Sequence, residues 1–141
     1  MLFDPENPII KLCARGMMLE GEAKPAEASA LFHQAWEQAA NDFEKFTAAH
    51  YIARHQQSVA DKLKWDETAL QLALKVDNPG MKGTYPSLYL NVAKCYEDLG
   101  DLAKAKENYL QALHYASSLP EDGYGNMIRA GVNKGIERVS I

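Results

Sequence analysis

The sequence has no run of about 18 apolar residues, so no membrane-spanning helix is expected. It has no excess of positive charge. Fifteen Lys and Arg stand against 19 Asp and Glu, a net charge of −4, which leaves no general basic surface for nucleic acid. It has only two cysteines, Cys13 and Cys95, and no CxxC pair. Each lies in an apolar helical stretch, where a buried thiol is the simplest reading. Neither has metal-ligand company at standard spacing, so no metal is expected. There is no strand–Gly-rich-loop–helix unit to hold a nucleotide-like cofactor, and no cofactor is expected. The first residues, MLFDPENP, lack the basic start and apolar segment of a signal peptide. The expected location is the cytoplasm.

What remains is a chain of 141 residues, 47% hydrophobic and 24% charged, enough for one domain over 1–141 with its own core. Its most regular stretch is Tyr89–Leu113. Tyr89, Val92-Ala93 and Tyr96 recur at helical spacing, Gly100-Asp101 makes a corner, and Ala105, Tyr109 and Ala112 recur beyond it. Small residues let two helices approach closely, and large ones fill the space between them.

The same pattern is laid down twice more. Asn7 caps a first helix with Pro8 at its first position, and Gly21 is the expected stop. Pro25 opens a second helix whose stripe is Ala28, Leu31, Phe32, Ala35, Trp36 and Ala39. Leu12, Gly16 and Leu19 take the first-helix places, with Arg15 where an apolar residue is usual. Asn41-Asp42 caps a third helix with Phe43, Phe46, Ala49, Ile52, Ala53 and Gln56 inward. Ser58–Lys64 reads as a longer connector, with room for a helical turn of its own, before a fourth helix carrying Trp65, Ala69, Leu72, Ala73 and Val76. Gly16 to Ala93 and Ala28 to Ala105 are both 77 residues, so extra residues sit in connectors rather than in helices. Asn78-Pro79-Gly80 breaks the chain, and Pro86 starts afresh. Met127, Ile128, Gly131, Ile136 and Val139 predict a last helix that covers the end of the stack. The expected fold is all-α: helix pairs over about 8–40, 42–77 and 86–117, and a closing helix over about 124–139.

On these motifs the chain resembles the tetratricopeptide repeat (TPR) family, whose period is roughly 34 residues. It is also similar to small stand-alone bacterial proteins of that family through His50–Gln56 and Tyr85–Asn91. Some of those carry an rRNA adenine methyltransferase label, which the missing cofactor unit and the acidic composition do not support. The resemblance implies a right-handed superhelix of antiparallel helix pairs. It also implies a concave groove lined by the first helix of each pair, and a protein or peptide partner bound there.

His50, Tyr51, Arg54 and Gln57 share neighbouring faces of the third helix. With Ala53 as its close-packing residue, all four face the groove. Asn91 and Lys94 join them from the fifth helix, and Arg129 does so if Gly131 is the matching small residue of the last. Three cations in an acidic chain predict a site for an anionic group on the partner, with Arg54 making a bidentate contact. The blander alternative is that Arg54 pairs with an acidic neighbour such as Glu97 or Asp98 and ties helices together. Two other functions stay open: an enzyme using the His50–His55 cluster, and a self-associating protein that packs on a copy of itself.

Overall fold

The structure, a computed structural model, describes residues 2–140. Among these residues there is no strand. They form α1 (Pro8–Gly21), α2 (Pro25–Gln38), α3 (Asp42–Ala53), α4 (Val59–Lys75), a 3-10 turn (Pro79–Thr84), α5 (Tyr85–Asp98), α6 (Leu102–Ala116) and α7 (Gly123–Val139). Adjacent helices pack in pairs, α1 on α2, α3 on α4 and α5 on α6, and α7 lies on α6. The chain divides between Val76 and Asp77 into two compact units.

Local chemistry sets most boundaries. The side chain of Asn7 accepts from the Ile9 and Ile10 amides, and that of Asn41 from Glu44. Asp101 and Asp122 accept from Lys104 and Gly125. Each satisfies backbone donors that the first turn leaves without partners. The stretch Ser58–Lys64, expected as a connector with at most a helical turn of its own, is continuous with α4 from Val59. Ser58 caps it by accepting from the Asp61 amide at 3.1 Å, a local signal that the apolar pattern hides. The break after Asn78 is a 3-10 turn that buries Met81 completely.

The corners of the first and third pairs have the same hydrogen bonds. Lys24 N reaches back to Leu19 O and Asp101 N to Tyr96 O, both at 2.9 Å, which is the six-to-one bond of a Schellman turn. Gly100 supplies the left-handed residue of the second corner at φ 86°. In the first corner that place belongs to Ala23, at φ 60°, and not to the expected Gly21. Gly21 remains helical, with open space where a Cβ would stand.

In the first unit Ile9, Cys13, Ala28, Phe32, Ala35, Ala48 and Ile52 form one core cluster, and Ala69, Leu70 and Ala73 of α4 are buried as well. Burying Phe32 fully contributes about 1.5–3 kcal/mol over leaving it exposed. A Cβ on Gly16 would run into the Phe32 ring, so glycine is what lets α1 close on α2. In the second unit Ala93, Ala105, Tyr109 and Val139 form one cluster, and Ala112, Ala116, Ile128 and Val132 another. Here the close-approach residue of α7 is Gly135, whose Cβ would strike the Tyr109 ring. Gly131, the expected one, would meet only Leu90 at an ordinary 3.5 Å. The two glycines are one helical turn apart, so spacing alone does not separate them. Cys13 and Cys95 are buried, and neither is in a disulfide.

Candidate functional site

Helix α3 ends at Ala53, before the stretch expected to lie on it is complete. The amides of Arg54, His55 and Gln56 each bond three residues back, so the chain tightens into a last turn and leaves the helix. Arg54 is therefore a capping residue, and Gln57 stands beyond the helix, off the face it would share at i+7 with His50. Tyr51 lies parallel to Phe32 of α2, with ring centroids 5.0 Å apart and an interplanar angle of 14°. The Arg54 guanidinium sits 4.8 Å over the Tyr51 ring. Burial pushes the Tyr51 phenol pKa up.

Arg54 has a carboxylate partner, and it comes from α1. Its Nη2 donates to Glu20 Oε1 at 2.6 Å, and His55 Nε2 lies 2.7 Å from Glu20 Oε2. Both carboxylate oxygens are thus taken. An acidic neighbour is one of the sequence readings for Arg54, but the two acids named as examples, Glu97 and Asp98, hold Arg138 and Lys94. The sequence offers one sign of Glu20's role: it stands 77 residues before Glu97, at the same place in its helix.

His50 is half-buried against Phe46 and Tyr51. Its Nδ1 is buried and meets no hydrogen-bond partner among the described residues. Burial, and next the nearby Arg54 charge, lower its pKa, which keeps the ring neutral at pH 7. His55 is held by Glu20 and tilts against Phe32. The carboxylate of Asp66 on α4, also buried, is in an ion pair with Lys62.

In the second unit Asn91 is half-buried on α5, and Lys94 pairs with Asp98 one turn on. Arg129 does structural work. Its guanidinium donates to the carbonyls of Ala116, Leu119 and Pro120 and to Asn126 Oδ1, at 2.8–3.1 Å, and so closes the turn between α6 and α7. One arginine thus gathers three carbonyls at and beyond the end of α6, sharing that of Ala116 with the Leu119 amide. A second carboxylate cluster had no sequence forecast. Glu97 accepts from Tyr109 Oη at 2.7 Å and from Arg138 Nε and Nη2 at 2.8 and 3.1 Å. The Arg138 hydrogen bond chiefly lowers the Glu97 pKa below its ordinary value, while burial and then Glu97 push the Tyr109 phenol up to about 12.

The first unit also has an open depression of about 630 Å³ along α4. Trp36, Leu63 and Leu72 give it apolar walls, and Lys45, Lys64 and Lys75 stand around it. Among the described residues no group of three His, Cys, Asp or Glu is placed to hold a metal ion, and no helix is long and apolar enough to cross a membrane. Comparison of the chain with protein-family models, with curated proteins and with solved structures found no match in any of the three.

Proposed function

We propose that this chain is a helical-repeat interaction module of the TPR kind, which binds a protein or peptide partner carrying an anionic group. The observation that carries the reading is the repeated hairpin. The pairs α1–α2 and α5–α6 share a Schellman corner and a buried Ala-x3-aromatic-x2-Ala stripe, and in each unit a glycine presses on that aromatic, Gly16 from α1 within the first pair and Gly135 from α7 in the second unit. Repetition of one hairpin is the build of helical-repeat proteins, which bind protein or peptide partners.

Arg54 and Lys94 already hold Glu20 and Asp98. Their side chains are 43% and 52% exposed, and those of the two carboxylates 23% and 41%. Ion pairs this exposed are worth about 0–1 kcal/mol, so a partner carboxylate can take the acid's place at little cost. Arg129, tied to three backbone carbonyls and to Asn126, stays structural. The proposed contacts are therefore His50, Tyr51, Arg54 and Gln57 in the first unit, and Asn91 and Lys94 in the second. The test is cross-linking of the tagged protein to its partner in native cytosol. The recovered partner is then titrated against wild type, Arg54→Lys and Lys94→Ala, with helix content checked by circular dichroism. Both variants should bind more weakly, Arg54→Lys because the planar fork is lost although the charge remains. Equal affinities for three folded proteins would show these faces to be structural only.

A further inference from the structure

Lys45, Lys64 and Lys75 are set apart from the other cations of their unit. Lys11, Lys24, Arg54 and Lys62 each hold a carboxylate. Of the cations left, only Arg15 lies outside the depression along α4. Glu67 is the one carboxylate in its lining, so three lysines without an ion-pair partner among the described residues surround an apolar floor. In a chain of net charge −4 this is a local reversal of sign. Cations that line an apolar surface favour the approach of a carboxylate, which brings opposite charge to each of them.

We infer that the depression docks an acidic amphipathic segment of a partner protein. Apolar side chains of the segment lie on Trp36, Leu63 and Leu72, and its carboxylates meet the three lysines. The lining runs from Ala60 to Lys75, about 22 Å at 1.5 Å per helical residue. That length takes about seven residues of extended chain. A volume of 630 Å³ falls within the roughly 300–1,000 Å³ of ordinary binding sites. Nucleic acid fits less well, because its dense phosphates reward many cations and few apolar contacts. This inference rests on the reading of the chain as an interaction module. It places an anionic partner on α4, away from the C-terminal end of α3.

The test is selection from a phage-displayed random library of short peptides on the folded wild-type protein. The recovered peptides should be rich in Asp and Glu with apolar residues between them. A synthetic consensus peptide should shift backbone amide resonances along Ala60–Lys75. Its affinity should fall about tenfold or more in Lys64→Glu/Lys75→Glu, as expected for lost charge pairs, and should weaken with salt. Lys64→Gln/Lys75→Gln, which removes charge without reversing it, should lose a smaller part and serves if the first variant fails to fold. Peptides without acidic residues, unchanged affinity in a folded lysine variant, or tighter binding of polyuridylate than of the consensus peptide would overturn the inference. Peptides lost in Arg54→Ala but kept in the lysine variant would also overturn it and leave the module reading standing. Recovery of no peptide would overturn it as well, while the native cross-linking experiment decides the module reading separately.

Discussion

Glu20 and Glu97 stand at the same place, the last full turn of the first helix in their units, and are held differently. Glu97 receives a two-pronged fork from Arg138 and a phenol from Tyr109. Glu20 receives one guanidinium nitrogen from Arg54 and one imidazole nitrogen from His55. The aromatic of the second helix explains part of the contrast. Tyr109 has a hydroxyl to spend on the carboxylate, whereas Phe32 has none and is covered by Tyr51 instead. One scaffold thus yields a tight three-donor lock in one unit and a looser, more exchangeable clasp in the other. The looser clasp is the one on which the sequence pattern drew attention.

The largest expected effect concerns what the two units share. Gly16→Ala and Gly135→Ala should each cost about 1–3 kcal/mol in urea unfolding, because the added methyl meets an aromatic ring that has no room to move. Gly131→Ala should cost nothing and gain up to about 1 kcal/mol of helix propensity. If Gly131→Ala proves the costly change, the α7 register described above is wrong.

Next in size is the carboxylate contrast itself. Glu97→Gln should cost about 1.5–3 kcal/mol at pH 7, the range for hydrogen bonds to charged groups, and more than Glu20→Gln. The folded-state pKa of Glu97 is lowered, chiefly by the Arg138 hydrogen bond. Its stabilisation is therefore complete above the ordinary carboxylate range and is lost as pH falls through the folded value. The gap between wild type and Glu97→Gln should close as unfolding is followed from pH 7 towards pH 3. A gap that stays constant would show that the carboxylate's charge contributes nothing.

Tyr109→Phe makes the second unit resemble the first and should cost about 1 kcal/mol. The Tyr109 phenol is raised to about 12 from 10.0. Its contribution is present below pH 10 and is lost as pH rises towards 12, so wild type should lose the advantage over Tyr109→Phe in alkali. The smallest change is at the corners. Ala23→Gly should stabilise by up to about 1 kcal/mol, since a left-handed L-residue is strained, and Gly100→Ala should destabilise by a similar amount. Thermal melts of the two variants moving in the same direction would break the equivalence of the corners.

The sequence alone determined the helices and their pairing. Asn7, Asn41, Pro8, Pro25 and Pro86 act on the backbone within a turn of themselves, and the small–large stripes through Phe32 and Tyr109 need only a neighbour across a short corner. Such signals are local, so they survive being read in one dimension. Ser58 carried the same kind of signal for α4, but the apolar stripe that begins later outweighed it. The site residues were legible as types and not as partners. Arg54 was picked out, but its bond to Glu20 spans 34 residues. Tertiary structure alone decided that bond, the choice of Gly135 over Gly131, the use of Arg129 as a carbonyl clamp, and the gathering of Lys45 with Lys64 and Lys75. Each depends on where helix ends and helix faces meet in space. A shift of one helical turn, invisible to a periodic pattern, changes which charges and which rings touch.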